Sequence, residues 1–511
     1  MHPVDAEDPA RTVDADFGNL PLRAVADAAL SAARSAGADH ADLRVHRLLH
    51  QSLELRDGQV VTASDREDLG LAVRVLREGV WGFASHVDLT PDAAAATARR
   101  AVEVSRALAP VATERVELAD EPVHADRTWV SEYRVDPWSV HPQEKIALLA
   151  DRSASLLIAG VVDHVRASCL QVKEQTFYAD TAGTITTQQR VRVDPEVSVT
   201  AVDRAVGGFE TLRTVVPPAG RGWEYLTGTG WDWARELGEL PDLLTEKIAA
   251  PSVQPGPTDL VVDPTNLWLV VHESIGHATE YDRAIGYEAA YAGSSFATPD
   301  LLGRLRYGSD ALTVTGDRTV PHGLASIGYD DDGVATSEFD LVRDGVLVGY
   351  QTDRAFAPRL GRQRSAGCAY ADSAAHAPLQ RMANVSIRPD PTHDRTTADL
   401  IGGVENGIYI VGDRSWSIDM QRYNFQFTGQ RFYRIRGGEL AGQVRDVAYQ
   451  AMTTDFWGAL EAVGGPSTWL LGGAFNCGKG QPGQVAPVSH GCPSALLRGI
   501  TVLNTTAAGA A

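Results

Sequence analysis

The sequence predicts an α+β protein: an N-terminal α/β domain followed by a large strand-rich C-terminal domain. Three observations carry this. Short runs of alternating apolar and polar residues recur along the chain, the period of half-buried strands. Of its 511 residues, 48 are glycine, and many sit in turn-like pairs such as Asp57-Gly58, Asp344-Gly345 and Gly437-Gly438. Helical signals gather in a few Ala- and Leu-rich stretches, most of them in the first half. A chain of this length exceeds one ordinary core. Its punctuation divides it into an N-terminal α+β domain (19–109), a central α+β region packing with it (110–250), and a strand-rich C-terminal domain (251–511).

Residues 1–18 read as a disordered or loosely held tail. Asn19 to Gly37 reads as a helix. Ala41 to Leu55 alternates like a strand and ends at Asp57-Gly58, a hairpin turn. Gly70 to Leu76 and Val80 to Ala84 form a second pair joined at Glu78-Gly79. Thr90 followed by Pro91 is a helix start, N-cap then first-turn proline, and that helix runs to Leu108. Residues 110–141 read as a connection and 142–158 as a helix. Strands are expected over 165–172, 174–179, 184–192 and 196–201, with the turn at Asp180 to Gly183. Val215 to Gly220 marks a boundary. A helix over 231–249 and a linker at Pro251 to Pro257 follow, and beyond them strands with only one or two helices.

Composition narrows the function. Lys and Arg number 46 against 66 Asp and Glu, a net charge of −20. Such a surface repels phosphate backbones, so no nucleic-acid partner is expected. No apolar run is long enough to span a bilayer, so no membrane association is expected. The acidic start has no basic segment ahead of an apolar core, so no signal peptide is read and a cytoplasmic location is expected. The four cysteines, Cys169, Cys368, Cys477 and Cys492, are scattered without a CxxC, which argues against a disulfide framework.

The chemistry concentrates at Thr258 to Asp282. Asp259 to Val262 reads as a buried strand, Asp263-Pro264 as a helix start, and the helix runs through Val271 into His272-Glu273-Ser274-Ile275-Gly276-His277. Imidazoles suit zinc, and a glutamate beside the first ligand is placed to act as general base. The familiar spacing is HExxH, with both histidines on one helix face. Here it is HExxxH. On a regular helix, i and i+5 point about 140° apart and cannot share one ion. A π-bulge would bring them together, and Gly276 is the residue expected to absorb the distortion. The alternative is two unrelated histidines. A third ligand is needed. Glu280 and Asp282 are candidates nearby. Farther along, Cys477 in Gly472 to Gln481 lies in a glycine-rich, Lys-flanked setting that favours thiolate; Cys492 is its rival, and an inert buried thiol the alternative.

These segments together resemble the TldD/PmbA family, once described as modulators of DNA gyrase. His272 to Asp282 resembles the family's HExxxHxxExD zinc helix. Cys477 to Gln481 (CGKGQ) resembles its CGKxGQ segment, one residue shorter here. Asp330 to Gly333, the RMxN of Arg381, Met382 and Asn384, and Val404 to Ile410 resemble further family segments, as does the N-terminal run LELRDGQV…LGLAVRV…GVWGFAS. The resemblance covers about residues 25–503.

It implies a metallopeptidase holding one Zn2+ per chain on His272, His277 and Cys477, with Glu273 as general base. Glu280 or Asp282 would orient a ligand histidine, and Arg381, Asn384 and His490 are further site candidates. It implies a catalytic TldD-type subunit in a homodimer, or in a heterodimer with a TldE/PmbA-like chain. The substrates it implies are unfolded or small peptides, modified ones included, cut in an enclosed chamber. Two segments depart from the family: Arg283 to Asp300, and Arg414 to Thr428, which replaces a glycine-rich stretch. Both are expected to line or border the chamber. Two other readings stay open, a zinc amidohydrolase acting on a peptide-like natural product or small-molecule conjugate, and a non-catalytic zinc-binding partner subunit.

Overall fold

A computed structural model describes residues 12–203, 208–480 and 482–506; residues 1–11 of the expected tail and Gln481 of the CGKGQ segment lie outside them. The first half begins with α1 (Ala15–Gly18) and α2 (Leu22–Ser35), then β1 (His40–Arg56), β2 (Gln59–Arg77), β3 (Val80–His86) and α3 (Pro91–Leu108). After β4 (Arg127–Val130) and α4 (Pro142–Leu157) come β5 (His164–Asp180), β6 (Ile185–Asp203), β7 (Gly208–Arg213) and α5 (Trp233–Ala249). The strands form one sheet in the order β3-β2-β1-β5-β6-β4, with β7 paired on β6. Both expected hairpin turns carry left-handed residues in pairs, Asp57 and Gly58 at φ 51° and 76°, Glu78 and Gly79 at φ 50° and 73°, the backbone that a tight two-residue connection requires. Thr90 caps α3, its hydroxyl accepting from Ala93 N at 3.2 Å.

Three expectations are corrected. The end of the tail is anchored from Val13 onwards: Val13 packs against the core, Phe17 is fully buried in it beneath α2 and α3, and Asp14 pairs with Lys173 at 2.7 Å. The connection 110–141 contributes β4 to the sheet. The four short strands after residue 164 are two long ones. Lys173 reads as a break but continues β5, its ammonium held by Asp14 and Asp136. Pro195 also reads as a break, but lies in β6 between the stretches that pair with β4 and β7, where a missing N–H is tolerated.

Strand alternation gives this sheet two unlike faces. Val45, Val73, Val165, Val193 and Val199 pack under α2 to α5. The other face is buried yet polar. There Arg44 meets Asp331 at 2.5 Å, Arg74 meets Asp332 at 2.6 Å, and Arg190 and Arg192 share Glu174. Asp331 and Asp332 belong to the second half of the chain, so this face is the seam between the halves.

The second half starts with β8 (Gly256–Val262), α6 (Pro264–Val271) and α7 (Tyr281–Ala284). Next come β9 (Val314–Asp317), β10 (Glu338–Arg343), β11 (Val346–Leu347), β12 (Ala369–Tyr370), β13 (Leu379–Gln380), β14 (Asn384–Ile387) and α8 (Thr397–Gly402). The chain ends with β15 (Asn406–Ile418), β16 (Asn424–Arg436), β17 (Glu439–Val444), β18 (Val447–Met452), α9 (Thr453–Gly458), β19 (Leu460–Val463), β20 (Leu470–Lys479), β21 (Gln484–Cys492) and β22 (Ala495–Asn504). Short helices are therefore more numerous here than the sequence suggests. Strands β8, β22, β18, β16 and β15 close into a ring, because β15 pairs with both β8 and β16. All eight residues of α6 are buried, the polar Thr265 and Asn266 included. Asn266 pins α6 to the ring, donating to the Gly412 and Thr428 carbonyls and accepting from Tyr449 Oη at 2.7 Å. Among the described residues no helix is long and apolar enough to cross a membrane.

Candidate metal centre

α6 opens with the expected signals. The Asp263 carboxylate accepts from Thr265 N, and Pro264 fills the first turn. At His272 the helix widens into a π turn over His272–Gly276, in which His277 N–H bonds to the His272 carbonyl, five residues back. The expected irregularity is therefore this turn, and it brings the two rings to 4.6 Å between centroids. The role expected of Gly276 is corrected. Its φ of −54° and ψ of −59° are ordinary helical values, open to any residue. Glycine is favoured there by packing, since a Cβ would meet Met382 Sδ at 2.5 Å. The carbonyls loosened by the change of pitch find side chains instead. Gln351 donates to Gly276 O at 2.7 Å, Thr279 to Ile275 O at 2.8 Å, and Tyr307 to Ser274 O.

His272, His277 and Cys477 come together, with one ligand-capable atom of each within 4.8 Å of the others, all buried. Their hydrogen bonds settle which nitrogens are bare. His490 Nδ1 lies 2.8 Å from the Val385 carbonyl, which can only accept, so that nitrogen carries a proton. Burial and the neighbouring imidazoles hold His490 far below its ordinary pKa, so it is neutral and its Nε2 accepts from His272 Nδ1 at 2.8 Å. Burial also lowers the pKa of His272, leaving its Nε2 as a lone pair. His277 Nδ1 donates to Glu280 Oε2 at 2.8 Å, and its Nε2 faces Cys477 Sγ at 3.6 Å. Burial works against ionising Cys477, but the facing Nε2 of His277, to which the thiol can pass its proton, and the charge of Arg381 outweigh it, and the thiol is held below its ordinary value. Two bare imidazole nitrogens and an acidified thiol are a donor set that fits a zinc ion.

Cys477 reaches this point through a bulge. Between Ala474 and Cys477 the register of β20 against β21 slips by one residue, which re-aims the side chain. The expected influence of Lys479 on this thiol is corrected. Lys479 is buried and bonded to Asp282 at 2.8 Å and to Glu280 at 3.3 Å, so its charge is spent on those acids. Asp282 therefore belongs to the support. So does Glu280, which Lys479, His277 and Arg283 together hold ionised against its burial. Arg381 donates to the Cys477 carbonyl. Asn384 is a brace, tying Ala325 N, Ser489 N and Asp317 O together. Cys492 is outside the cluster, and burial pushes its thiol up.

A cavity of about 530 Å3 opens on the cluster, lined by His272, Glu273, His277 and Cys477 from one side and by Asp194, Glu196 and Arg213 from the other. Of the two unusual segments, 283–300 lies outside this lining, and Arg414 to Thr428 contributes Trp416. Arg422 of that same segment pairs with Glu273 Oε2 at 2.7 Å. Sequence reasoning missed Arg422 and Asp194. The signal for Arg422 was present, a basic residue in the segment that departs from the family.

Residues 255–504 match the family model of the PmbA/TldA metallopeptidase C-terminal domain, and residues 41–105 match domain 1 of the same family. The chain is 28% identical over 480 residues, 91% of its length and 96% of its relative's, to a metalloprotease of Methanothermobacter thermautotrophicus. In fold it is similar to a Thermotoga maritima protein named for modulation of a DNA gyrase, with a TM-score of 0.72 and 16% identity over 93% of this chain and 99% of the other. It is also similar to TldE of Thermococcus kodakarensis, with a TM-score of 0.64 and 14% identity over 93% and 98%. With its two matched domains falling on the strand-rich second half and on the first sheet, this chain belongs to the TldD/PmbA family of metallopeptidases.

Proposed function

We propose that this chain is a TldD-type catalytic subunit, a peptidase that binds one zinc ion through His272, His277 and Cys477 and hydrolyses unfolded or small peptides, modified ones included. The observation that carries the reading is the convergence of two bare Nε2 atoms and an acidified thiol beside Glu273 at the wall of a cavity. When bound, zinc supplies a Lewis acid that polarises a carbonyl and acidifies water. Glu273, one residue from His272, takes the proton of the attacking water and returns it to the leaving amine. Glu280 and His490 keep the two imidazoles in the tautomers that leave Nε2 free. A cavity of about 530 Å3 admits an extended segment and not a folded domain, which supports an unfolded substrate. Likeness to a TldE chain supports a dimer, with a second copy or a TldE/PmbA-like subunit completing the chamber. The test is zinc content together with cleavage of a quenched-fluorescent pool of unstructured peptides. About one zinc per chain with metal-dependent cleavage is expected; a chain that holds zinc and leaves every peptide intact overturns the peptidase reading.

A further inference from the structure

The carboxylate of Glu273 has a single protein partner among the described residues. Arg422 donates to its Oε2 at 2.7 Å, and no hydrogen bond reaches its Oε1. Glu273 lines the cavity, whereas Arg422 is absent from the lining. The guanidinium therefore grips one oxygen from outside the cavity lining and leaves the other without a protein partner among the described residues.

The surroundings of Arg422 are built to keep it there. It sits in the connection between β15 and β16 with φ at 64°, a left-handed conformation rare outside glycine and costly unless its neighbours enforce it. Asp419 enforces it by accepting from the backbone N–H groups of Gln421, Tyr423 and Asn424. Thr453 donates to the Arg422 carbonyl at 2.8 Å. From the other side Ser294 N and Phe296 N bond to the carbonyls of Met420 and Gln421. Gly293 packs so closely that a Cβ there would meet Met420 O at 2.1 Å. A second guanidinium nitrogen donates to Ala292 O at 3.0 Å. That carbonyl also accepts from Arg283, which bonds Glu280, the partner of His277. One rigid network thus ties the carboxylate beside His272 to the imidazole of His277.

We propose that Arg422 is the positioning residue of the general base. It fixes the Glu273 carboxylate so that Oε1 faces the reacting centre, and its two nitrogens at different acceptors do what a lysine point charge cannot. The inference rests on Glu273 being the base. A carboxylate on three free rotors loses alignment when its anchor goes, and misplacement on the order of 1 Å lowers turnover by about 100-fold.

The experiment compares the zinc-loaded parent with Arg422→Met, Arg422→Lys and Glu273→Gln on the same peptide pool, with metal content measured throughout. Arg422→Met is expected to keep its zinc and to lower kcat by about 10–100-fold, with KM changed by less than about threefold. Methylguanidinium should restore part of the loss and Arg422→Lys should recover little. A crystal structure of Arg422→Met should show the Glu273 carboxylate in more than one orientation. Parental kcat in Arg422→Met alongside an inactive Glu273→Gln overturns the positioning role and leaves the peptidase reading standing. An active Glu273→Gln overturns the assignment of the base, and this inference with it. Zinc lost in step with activity would make Arg422 a merely structural residue.

Discussion

The two walls of the cavity are built on opposite plans. The wall carrying His272, Glu273, His277 and Cys477 rests on the largest apolar cluster of the molecule, which includes Val270, Val271, Ile275, Met382 and Val488. Each imidazole there is tied through Nδ1 to a fixed acceptor. The facing wall comes from β6 and β7 of the first half, where Asp194, Glu196 and Arg213 lie on the polar face of the sheet. Arg213 is committed to Glu196 at 3.4 Å and to Asp413 at 2.5 Å, and among the described residues Asp194 has no ion-pair partner. Burial and the neighbouring Glu196 push its pKa up to about 6. One wall ties its imidazoles to fixed partners, and the other places at the cavity surface an acid whose proton is held up to about pH 6.

The comparison breaks most sharply if the first wall tolerates loss of a donor. Cys477→Ala or His277→Ala is expected to lower zinc from about one per chain to below about a tenth, read by elemental analysis; retention of the metal in both would remove the centre. Next in size is Glu273→Gln, which should keep its zinc and lose about 100- to 10,000-fold in peptide turnover. Smaller still is His490→Leu. It removes the acceptor of the His272 Nδ1 proton, and competition with a chelator should show zinc affinity weakened by about 10–100-fold. An unchanged affinity would mean that His272 holds its tautomer unaided.

The facing wall gives the smallest effect and the one with a pH signature. Asp194 titrates near 6 in the folded chain and near 3.9 when unfolded. The folded state therefore binds the extra proton between these values, and the contribution of Asp194 to stability falls as pH rises from about 4 through 6. Asp194→Asn should match the parent near pH 4 and exceed it above pH 6 by about 1–2 kcal/mol, with zinc content unchanged. Urea unfolding at several pH values checks this, and a variant no more stable than the parent at pH 7.5 would show that Asp194 finds a partner in the folded chain.

Much of the site was legible in residue order. The spacing from His272 to His277 is incompatible with one face of a regular helix, so either the shared site or the regular helix had to yield, and the regular helix gave way to a π turn. Caps and turns were legible for the same reason: Thr90-Pro91, Asp263-Pro264 and Asp57-Gly58 act on neighbours one to four residues away. The long strands were misread where Lys173 and Pro195 interrupt the apolar rhythm. What makes each tolerable, the carboxylates of Asp14 and Asp136 for one and a stretch between two pairings for the other, lies elsewhere in the chain.

By itself, then, the sequence determined the hairpins, the capped helices, the acidic balance and a histidine pair that needs a change of helical pitch, because backbone conformation responds to side chains within a turn or two. Only the tertiary structure decided that Cys477, two hundred residues from His277, is the thiol that meets it, that His490 holds the tautomer of His272, and that Arg422 grips Glu273. Those meetings depend on a one-residue slip in β20, the closure of a ring of strands and the seating of a polar sheet face against the second half. Each is a register chosen by burial across the whole molecule, and no local pattern encodes it.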